Sequence, residues 1–175
     1  MIVTLDFETE AIDKSSIVPP KPVGYAFKIN DDQSKYRSWG HPGQNNWSLE
    51  LAYEELSDLC ALSSTIVMHN AKFDLAVLKH YFSMSPGRRF DDTMLLAFIH
   101  SPNSKTLSLK PLSDKLLNMP PDEQDDLKEW VITNIKGATS PAALATANII
   151  PVIMAGLDIG IMTLIMVSNL VAPRA

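Results

Sequence analysis

Four acidic residues in three separate segments of the chain have the side-chain type that divalent-cation chemistry requires. Asp6 and Glu8 stand two residues apart at the end of an apolar run, and the others are Asp74 and Asp158. Because side chains alternate along a strand, Asp6 and Glu8 share one face and Phe7 points to the other. Two carboxylates this close repel each other unless solvent separates them or a cation lies between them. Hard divalent ions such as Mg²⁺ prefer oxygen ligands of this kind.

Each acidic segment taken alone also has an ordinary structural explanation. The Asp6–Glu8 pair fits a solvated strand end, which is the favoured interpretation of that motif by itself. Asn70 is placed to cap a following helix, and Asp74 falls one turn into it, facing back toward the strand ends. A cap and an exposed acid would explain Asn70 but not the position of Asp74. Asp158 lies in an apolar segment, where it needs a partner, a metal or a proton; the alternative is a hydrogen-bonded helix break.

Together the four acids have the composition of a two-metal phosphodiester site. In such a site one cation lowers the pKa of an attacking water and the other stabilises the leaving oxygen, with the ions about 3.5–4 Å apart. We therefore expect two Mg²⁺ or Mn²⁺ ions as cofactors, held by Asp6, Glu8, Asp74 and Asp158.

The bulk composition limits the class of protein. The 175 residues are 46% hydrophobic and 20% charged, which suits one soluble globular domain. The net charge of −5 argues against a broad basic surface that coats nucleic acid, but not against an enzyme that uses cations to grip a short strand. The single cysteine, Cys60, excludes an internal disulfide and a zinc site of paired cysteines. No signal-peptide pattern is present, so we expect a cytoplasmic location.

The apolar stretch from Ala147 to Ala172 is long enough to span a bilayer. A carboxylate such as Asp158 near its middle would cost about 2.5–3.5 kcal/mol there, and a proline and two glycines interrupt the stretch. We interpret it as one or two buried helices and expect no membrane partner; a membrane anchor is the less favoured alternative.

Hydrophobic patterning predicts an α/β fold in which helices flank a mixed central sheet. The short turns between the first three strands favour an antiparallel meander. The predicted strands are Ile2–Phe7, Val23–Ile29, Lys35–Trp39, Thr65–Met68 and Arg89–Asp91. The predicted helices are Ser48–Leu62, Ala71–Phe82, Thr93–Ile99, Leu107–Leu117 and Asp122–Asn134, before the apolar C-terminal region. For the first helix, the expected apolar face consists of Leu51, Leu56, Leu59 and Cys60. A ribonuclease H-like fold has this order of elements.

Several segments resemble one family of enzymes. Asp6-Phe7-Glu8-Thr9 matches the first motif, and Asn70-Ala71-Lys72-Phe73-Asp74 the second motif, of the DEDD (DnaQ-like) exonuclease superfamily. More specifically, the chain is similar to the proofreading exonuclease domains of bacterial and phage family A DNA polymerases. Phe90–Ala97, Leu107–Leu112 and Asp122–Trp130 resemble further stretches of those domains, so the resemblance covers nearly the whole chain in order.

The resemblance implies a single 3′→5′ exonuclease domain over residues 1–175, without a polymerase domain. Such a domain hydrolyses single-stranded DNA from its 3′ end and releases mononucleotides, and a separate DNA polymerase is a further expected partner. Asp6 would bridge both metals. Glu8 and Asp158 would complete the shell of the tighter ion, and Asp74 would hold the second ion through water.

The resemblance also implies a set of substrate-binding residues. Thr9 would lie near the terminal nucleotide, and Asn70 would orient Asp74 or the scissile strand. Phe73 belongs to the same set, although its spacing also fits a place in the core. For His69, contact with a base or phosphate and a structural role are equally good interpretations. A solvated surface is the better interpretation of Lys72, Lys105 and Lys110. A place in the core, or covering it, is the better interpretation of Trp39, Trp47 and Trp130.

The third motif of the family is incomplete in this chain. The family has a tyrosine four residues before its last aspartate, or a histidine five before, but here Met154 and Ile153 occupy those positions. Ile161 stands where an arginine is common. Since a general base contributes about 10²–10⁴-fold to rate, we expect a weak or conditional nuclease. The alternative is a catalytically impaired domain that binds DNA or a polymerase; retention of all four carboxylates favours the enzyme.

Overall fold

The computed structural model describes residues 1–40 and 45–118. Five strands lie in this part of the chain: β1 (Ile2–Thr9), β2 (Pro22–Ile29), β3 (Lys35–Ser38), β4 (Thr65–Met68) and β5 (Phe90–Asp92). Four helices accompany them: α1 (Leu49–Leu62), α2 (Ala71–Phe82), α3 (Thr93–His100) and α4 (Leu109–Leu117). Outside the described residues lie the predicted helix over 122–134, the apolar region 147–172 and four singled-out positions, Ile153, Met154, Asp158 and Ile161.

The strands form one mixed sheet in the order β3-β2-β1-β4-β5. β1, β2 and β3 pair antiparallel in chain order, and β4 and β5 lie on the other side of β1, parallel to it and to each other. The chain crosses from β3 to β4 through α1 and from β4 to β5 through α2, which a parallel connection needs. The predicted mixed sheet with flanking helices is therefore confirmed.

The main core lies on one face of this sheet. Val3, Leu5 and Phe7 alternate along β1 and are buried against side chains from β2, β4, α1 and α2. Phe7 stacks on Phe82 of α2 with ring centroids 5.7 Å apart. Fully burying a side chain of this size contributes about 1.5–3 kcal/mol, so this row fixes which face of β1 turns inward. The intervening residues, including the two acids, take the opposite face.

β1 continues two residues beyond its predicted end, because its pairing with β2 continues as well. Glu8 lies opposite Gly24 and Thr9 opposite Pro22, with an irregularity in register between Glu8 and Thr9. On its other side β1 pairs with β4 from Ile2 to Thr4, and the pairing ends there. Glu8 therefore lies within β1 rather than past its end, and both acids lie in a part of the strand that extends beyond its pairing with β4.

Besides shifts of one residue at the start of α1 and at the end of α3, the helices differ from the prediction in two details. On α1, Leu51 is exposed, and Ala52 is buried in its place together with Leu56, Leu59 and Cys60. Spacings of four, three and one put these four residues on one helical face, whereas Leu51 lies to its side. α4 begins at Leu109 rather than 107, after Ser108 at its N-cap.

None of the helices in residues 1–40 and 45–118 has both the length and the apolar character that crossing a bilayer demands.

Candidate active site

Asp6 and Glu8 share the face of β1 that points away from the main core. Both side chains are partly buried. Their cross-strand partners on β2 are Ala26 and Gly24, two of the smallest residues, so little side-chain volume lies beside the acids on that strand. The predicted alternation of Asp6, Phe7 and Glu8 is confirmed, because Phe7 is in the core cluster and neither acid is.

Asp74 reaches β1 from the first turn of α2. Its side chain is 2% exposed, and its Oδ1 accepts a hydrogen bond of 3.0 Å from the backbone N–H of Phe7. The pairing of β1 with β4 ends at Thr4, so β4 offers no acceptor to the N–H of Phe7. The carboxylate of Asp74 accepts that N–H instead. The helix thus brings a third carboxylate to the backbone between Asp6 and Glu8, as the spacing predicted.

The three carboxylates are electrostatically coupled. Burial raises the pKa of Asp6 to about 6. Burial, with a further contribution from the charge of Asp6, raises the pKa of Glu8 to about 7. The pKa of Asp74 also lies well above its usual range, first because of burial and then because of Asp6, although the Phe7 N–H acts in the opposite direction. The site therefore favours protons or a cation over three free negative charges.

The donor set suits a cation, but the described residues do not complete a cage for one. Within the part of the chain that the structure describes, no lysine, arginine or histidine forms an ion pair with Asp6, Glu8 or Asp74. In the same part, no group of three or more His, Cys, Asp and Glu side chains is placed to hold one ion. Asp158, the fourth expected ligand, lies outside it. The assignment of these four acids as metal ligands therefore stays a prediction.

The predicted capping role of Asn70 is wrong. Asn70 has a left-handed backbone, with φ 59° and ψ 49°, and its side chain makes no hydrogen bond to the helix. A side-chain cap needs an extended backbone at this position, so the conformation itself prevents it. Asn70 is exposed at the start of α2, four residues from Asp74, and its assignment to substrate binding stays a prediction.

Asp92 caps α2 instead, from the end of β5. Its Oδ1 accepts from the backbone N–H of Asn70 and its Oδ2 from that of Ala71, both at 3.0 Å. Its Oδ1 also accepts from Met94 at 2.9 Å, which caps α3. Sequence reasoning assigned Asp92 no role. An aspartate directly before an apolar helix is a start signal for that helix, but nothing local indicates that it also serves a second one.

The other expected substrate contacts have mixed surroundings. Thr9 is partly buried at the end of β1, where its hydroxyl donates to the carbonyl of Glu10 at 3.0 Å. Phe73 is partly buried and packs against the main core, which agrees with the core interpretation of its spacing. Their assignment to substrate binding stays a prediction. Lys72 and Lys105 are exposed, in agreement with a solvated surface.

His69 has a structural environment. Its Nδ1 lies 2.8 Å from the hydroxyl of buried Thr93. Burial lowers the pKa of His69, opposed by the charge of Asp92 and by the backbone of Leu107. Of the two interpretations of His69, the structure favours a structural histidine that joins the end of β4 to the start of α3.

Tyr36 lies beside the acidic face, and sequence reasoning missed it. A Cβ atom on Gly24 would lie 2.7 Å from the Tyr36 hydroxyl, so the phenol ring extends over the position opposite Glu8. Burial and the charge of Glu8 both raise the pKa of Tyr36. The register of β3, with Tyr36 paired to Ala26 and Ala26 to Asp6, would have revealed this neighbourhood if the pairing had been known.

Solved structures of several nucleases and a polymerase share the fold. NrnC of Brucella melitensis is 20% identical with a TM-score of 0.58, over 97% of this chain and 71% of that one. RNase D of Trypanosoma brucei is 10% identical with a TM-score of 0.63, over 99% of this chain and 58% of that one. Pol1 from M. smegmatis is 15% identical with a TM-score of 0.56, over 96% of this chain and 22% of that one. At these identities the likeness shows the ribonuclease H-like fold alone.

Sequence comparison with family models is more specific. No curated protein matches the chain. A family model described as 3′-5′ exonuclease, however, matches residues 2–144. This range contains Asp6, Glu8 and Asp74, and it ends before Asp158. The match covers most of the chain and confirms the resemblance on which the sequence-based expectation rested. The chain therefore belongs to the 3′-5′ exonuclease family.

Proposed function

We propose that this chain is a divalent-cation-dependent exonuclease that hydrolyses single-stranded DNA from the 3′ end and releases mononucleotides. The observation that carries the proposal is the meeting of Asp6, Glu8 and Asp74 from two elements, with raised pKa values and with no basic partner among the described residues. Together with Asp158, these acids would bind two Mg²⁺ or Mn²⁺ ions. When bound, the ions activate a water and stabilise the leaving oxygen of the phosphodiester.

The residues of the chain divide the remaining work. Asp6 interacts electrostatically with both Glu8 and Asp74, which supports its assignment as the shared ligand. Asp74 commits one oxygen to the Phe7 amide, so its carboxylate is held in place before any ion arrives. A ligand that is already fixed loses less conformational freedom on binding.

DNA is the proposed substrate because the motifs resemble those of polymerase-associated domains. Relatives of the same fold have been solved with different nucleic acids: NrnC of B. melitensis with pGG, RNase D of T. brucei with RNA U12, and Pol1 from M. smegmatis with DNA primer-template. NrnC has also been solved with Mg²⁺. We propose that a DNA polymerase is the working partner, and RNA is the competing substrate that the experiment must test.

Met154 supports a second candidate, a domain that binds a nucleic-acid end or a polymerase without cleaving. It stands where the family has the tyrosine that orients the attacking water, and Ile161 replaces the common arginine. Removing a positioned general base typically costs about 10²–10⁴-fold, which a metal-dependent enzyme can survive. A weak nuclease and a binding domain therefore differ in measured rate rather than in fold.

The test is digestion of single-stranded DNA and RNA of the same sequence, labelled at either end, with Mg²⁺, Mn²⁺ or EDTA. The variants are Asp6→Ala, Met154→Tyr and, as a control, Asp58→Asn, which removes an exposed charge from α1. We expect metal-dependent shortening from the 3′ end that Asp6→Ala abolishes, Met154→Tyr enhances and Asp58→Asn leaves unchanged. No cleavage of either substrate, even by Met154→Tyr with either metal, would overturn the enzymatic proposal in favour of the binding domain.

A further inference from the structure

We propose that Asp92 is a positioning residue for the active site. From the end of β5 it caps the N-terminus of α2 and so holds Asp74 in place. The inference rests on the proposed function, because it assigns a partner to one of the proposed metal-binding acids. Asp92 lies at the end of β5, beside Met68 at the end of β4. Its carboxylate accepts the backbone N–H groups of Asn70, Ala71 and Met94 at 2.9–3.0 Å.

α2 needs an external cap because its own N-cap residue supplies none. The first N–H groups of any helix have no partner within the helix and must find acceptors elsewhere. Asn70 is left-handed and gives no side-chain bond, so the carboxylate of Asp92 receives these groups across the sheet. An ionised carboxylate forms stronger hydrogen bonds with backbone N–H groups than a neutral acceptor does, and its charge complements the positive end of the helix dipole.

The cap lies one helical turn from Asp74. Ala71 donates to Asp92, and Asp74, three residues later, accepts from the Phe7 amide between the two acids of β1. The first turn of α2 is thus fixed at both ends, by β5 on one side and by β1 on the other. Loss of the Asp92 bonds would leave that turn held by the Asp74 bond and by the packing of Ala71 and Phe73 in the core. A misplacement of about 1 Å at a catalytic group can cost about 10²-fold in rate, so a small shift of this turn matters.

Asp92 acts on the site by positioning Asp74 rather than by binding a metal ion. Both of its oxygens accept backbone N–H groups, and Oδ1 accepts two of them. Its neighbour Thr93 strengthens the same junction from within, because the buried Thr93 hydroxyl donates to the Met68 carbonyl at 3.3 Å and contacts His69 at 2.8 Å. The end of β5 therefore holds the β4–α2 connection with two consecutive side chains.

The test compares Asp92→Ala and Asp92→Asn with Ser48→Ala, which removes the side-chain cap of α1, a helix without a proposed ligand. Two readouts are needed at a temperature where all variants are folded. The first is the Mn²⁺ concentration that gives half-maximal cleavage, with kcat and KM. The second is hydrogen exchange of the Phe7 amide relative to that of Leu5 in the same strand, which reports directly on the Asp74 bond and needs no activity.

For Asp92→Ala we expect kcat to fall by about 10–100-fold with a smaller change in KM, a higher Mn²⁺ midpoint and faster relative exchange at Phe7. Asp92→Asn keeps an oxygen for Asn70 and Met94 but not an acceptor for Ala71, so its values should lie between those of Asp92→Ala and the unmodified protein. Ser48→Ala should match the unmodified protein in kcat, KM, the Mn²⁺ midpoint and the relative exchange at Phe7. Asp92→Ala with unchanged relative exchange at Phe7 and an unchanged Mn²⁺ midpoint would overturn the inference while leaving the nuclease intact. If the unmodified protein cleaves nothing, the proposed function fails, and the exchange measurement alone decides for or against the role of Asp92.

Discussion

The carboxylate of Asp74 accepts the backbone N–H of Phe7 at 3.0 Å, and this bond joins the first turn of α2 to β1 between its two acids. Phe7 faces the main core, while the residues on either side of it, Asp6 and Glu8, face away. Because Asp74 is hydrogen-bonded to the residue between Asp6 and Glu8, the position of Asp74 and the positions of the other two carboxylates depend on each other.

Asp74→Asn should separate charge from geometry at this bond. The amide oxygen of the asparagine can still accept the N–H of Phe7, but the buried charge beside Asp6 is removed. The raised pKa of Asp74 indicates that this charge is unfavourable when no metal is bound. We expect the metal-free variant to be more stable than the unmodified protein at pH 8, by on the order of 1 kcal/mol, while activity falls about 10–100-fold. Urea unfolding in EDTA and cleavage assays provide the measurements. A variant that is less stable than the unmodified protein in EDTA would contradict this account.

Stability of the metal-free protein should fall as the pH rises. In the folded state the pKa values are about 6 for Asp6 and about 7 for Glu8, above the usual values of these groups. A carboxyl group whose pKa is raised by folding contributes stability that is fully present below its unfolded pKa and is lost as the pH rises through its folded pKa. We expect this loss between about pH 4 and pH 7, up to about 3 kcal/mol for each group.

Denaturant unfolding at several pH values, with EDTA and with Mn²⁺, measures this effect. Mn²⁺ should restore stability at neutral pH, because ionised carboxylates are its ligands. The Asp6→Asn and Glu8→Gln double variant serves as the control and should show a flatter pH profile. A profile as steep in the double variant as in the unmodified protein would assign the effect to other groups.

Gly24→Ala should disturb the strand beside Glu8. A Cβ atom at Gly24 would lie 2.6 Å from the carbonyl oxygen of Arg37 and 2.7 Å from the Tyr36 hydroxyl, so β3 would have to move. We expect a loss of about 1–3 kcal/mol in the free energy of unfolding. Adding Tyr36→Phe removes the hydroxyl clash but not the backbone one, so the double variant should recover only part of the loss. Full recovery would show that β3 does not need to move.

Glu55→Ala should destabilise the fold without affecting the site. Glu55 of α1 binds Arg37 through both carboxylate oxygens at 2.8 Å, and it accepts the hydroxyl of Tyr25 at 2.5 Å. Its removal leaves the buried hydroxyl of Tyr25 and the partly buried guanidinium of Arg37 without this acceptor, and we expect a cost of about 1–3 kcal/mol in the free energy of unfolding. Well below the melting temperature, kcat should equal that of the unmodified protein. A reduced kcat at that temperature would indicate that α1 contributes to the site.

The parts of the site that follow from local patterns could be predicted. Alternation along β1 separated Asp6 and Glu8 from Phe7, and helical spacing located α2 from Ala71 to Phe82, with Asp74 near the strand. These patterns depend only on neighbours in the chain, and strong periodicity determines them. The family resemblance added the expected roles, which spacing alone does not contain.

The parts that depend on distant residues could not be predicted. The cap of α2 comes from Asp92, 22 residues after Asn70, and it becomes visible only when β4 and β5 are placed side by side. Tyr36 approaches Glu8 only through the register of three strands. Leu51 was assigned to the wrong side of α1 because an apolar residue next to a helical face resembles one within it until the packing is known.

One carboxylate at the end of β5 receives the N-termini of both α2 and α3. A shared acceptor of this kind couples the two helices, since a movement of one that keeps its bonds carries the other. A change at this carboxylate would therefore disturb the starts of both helices together, and Asp74 with the first of them.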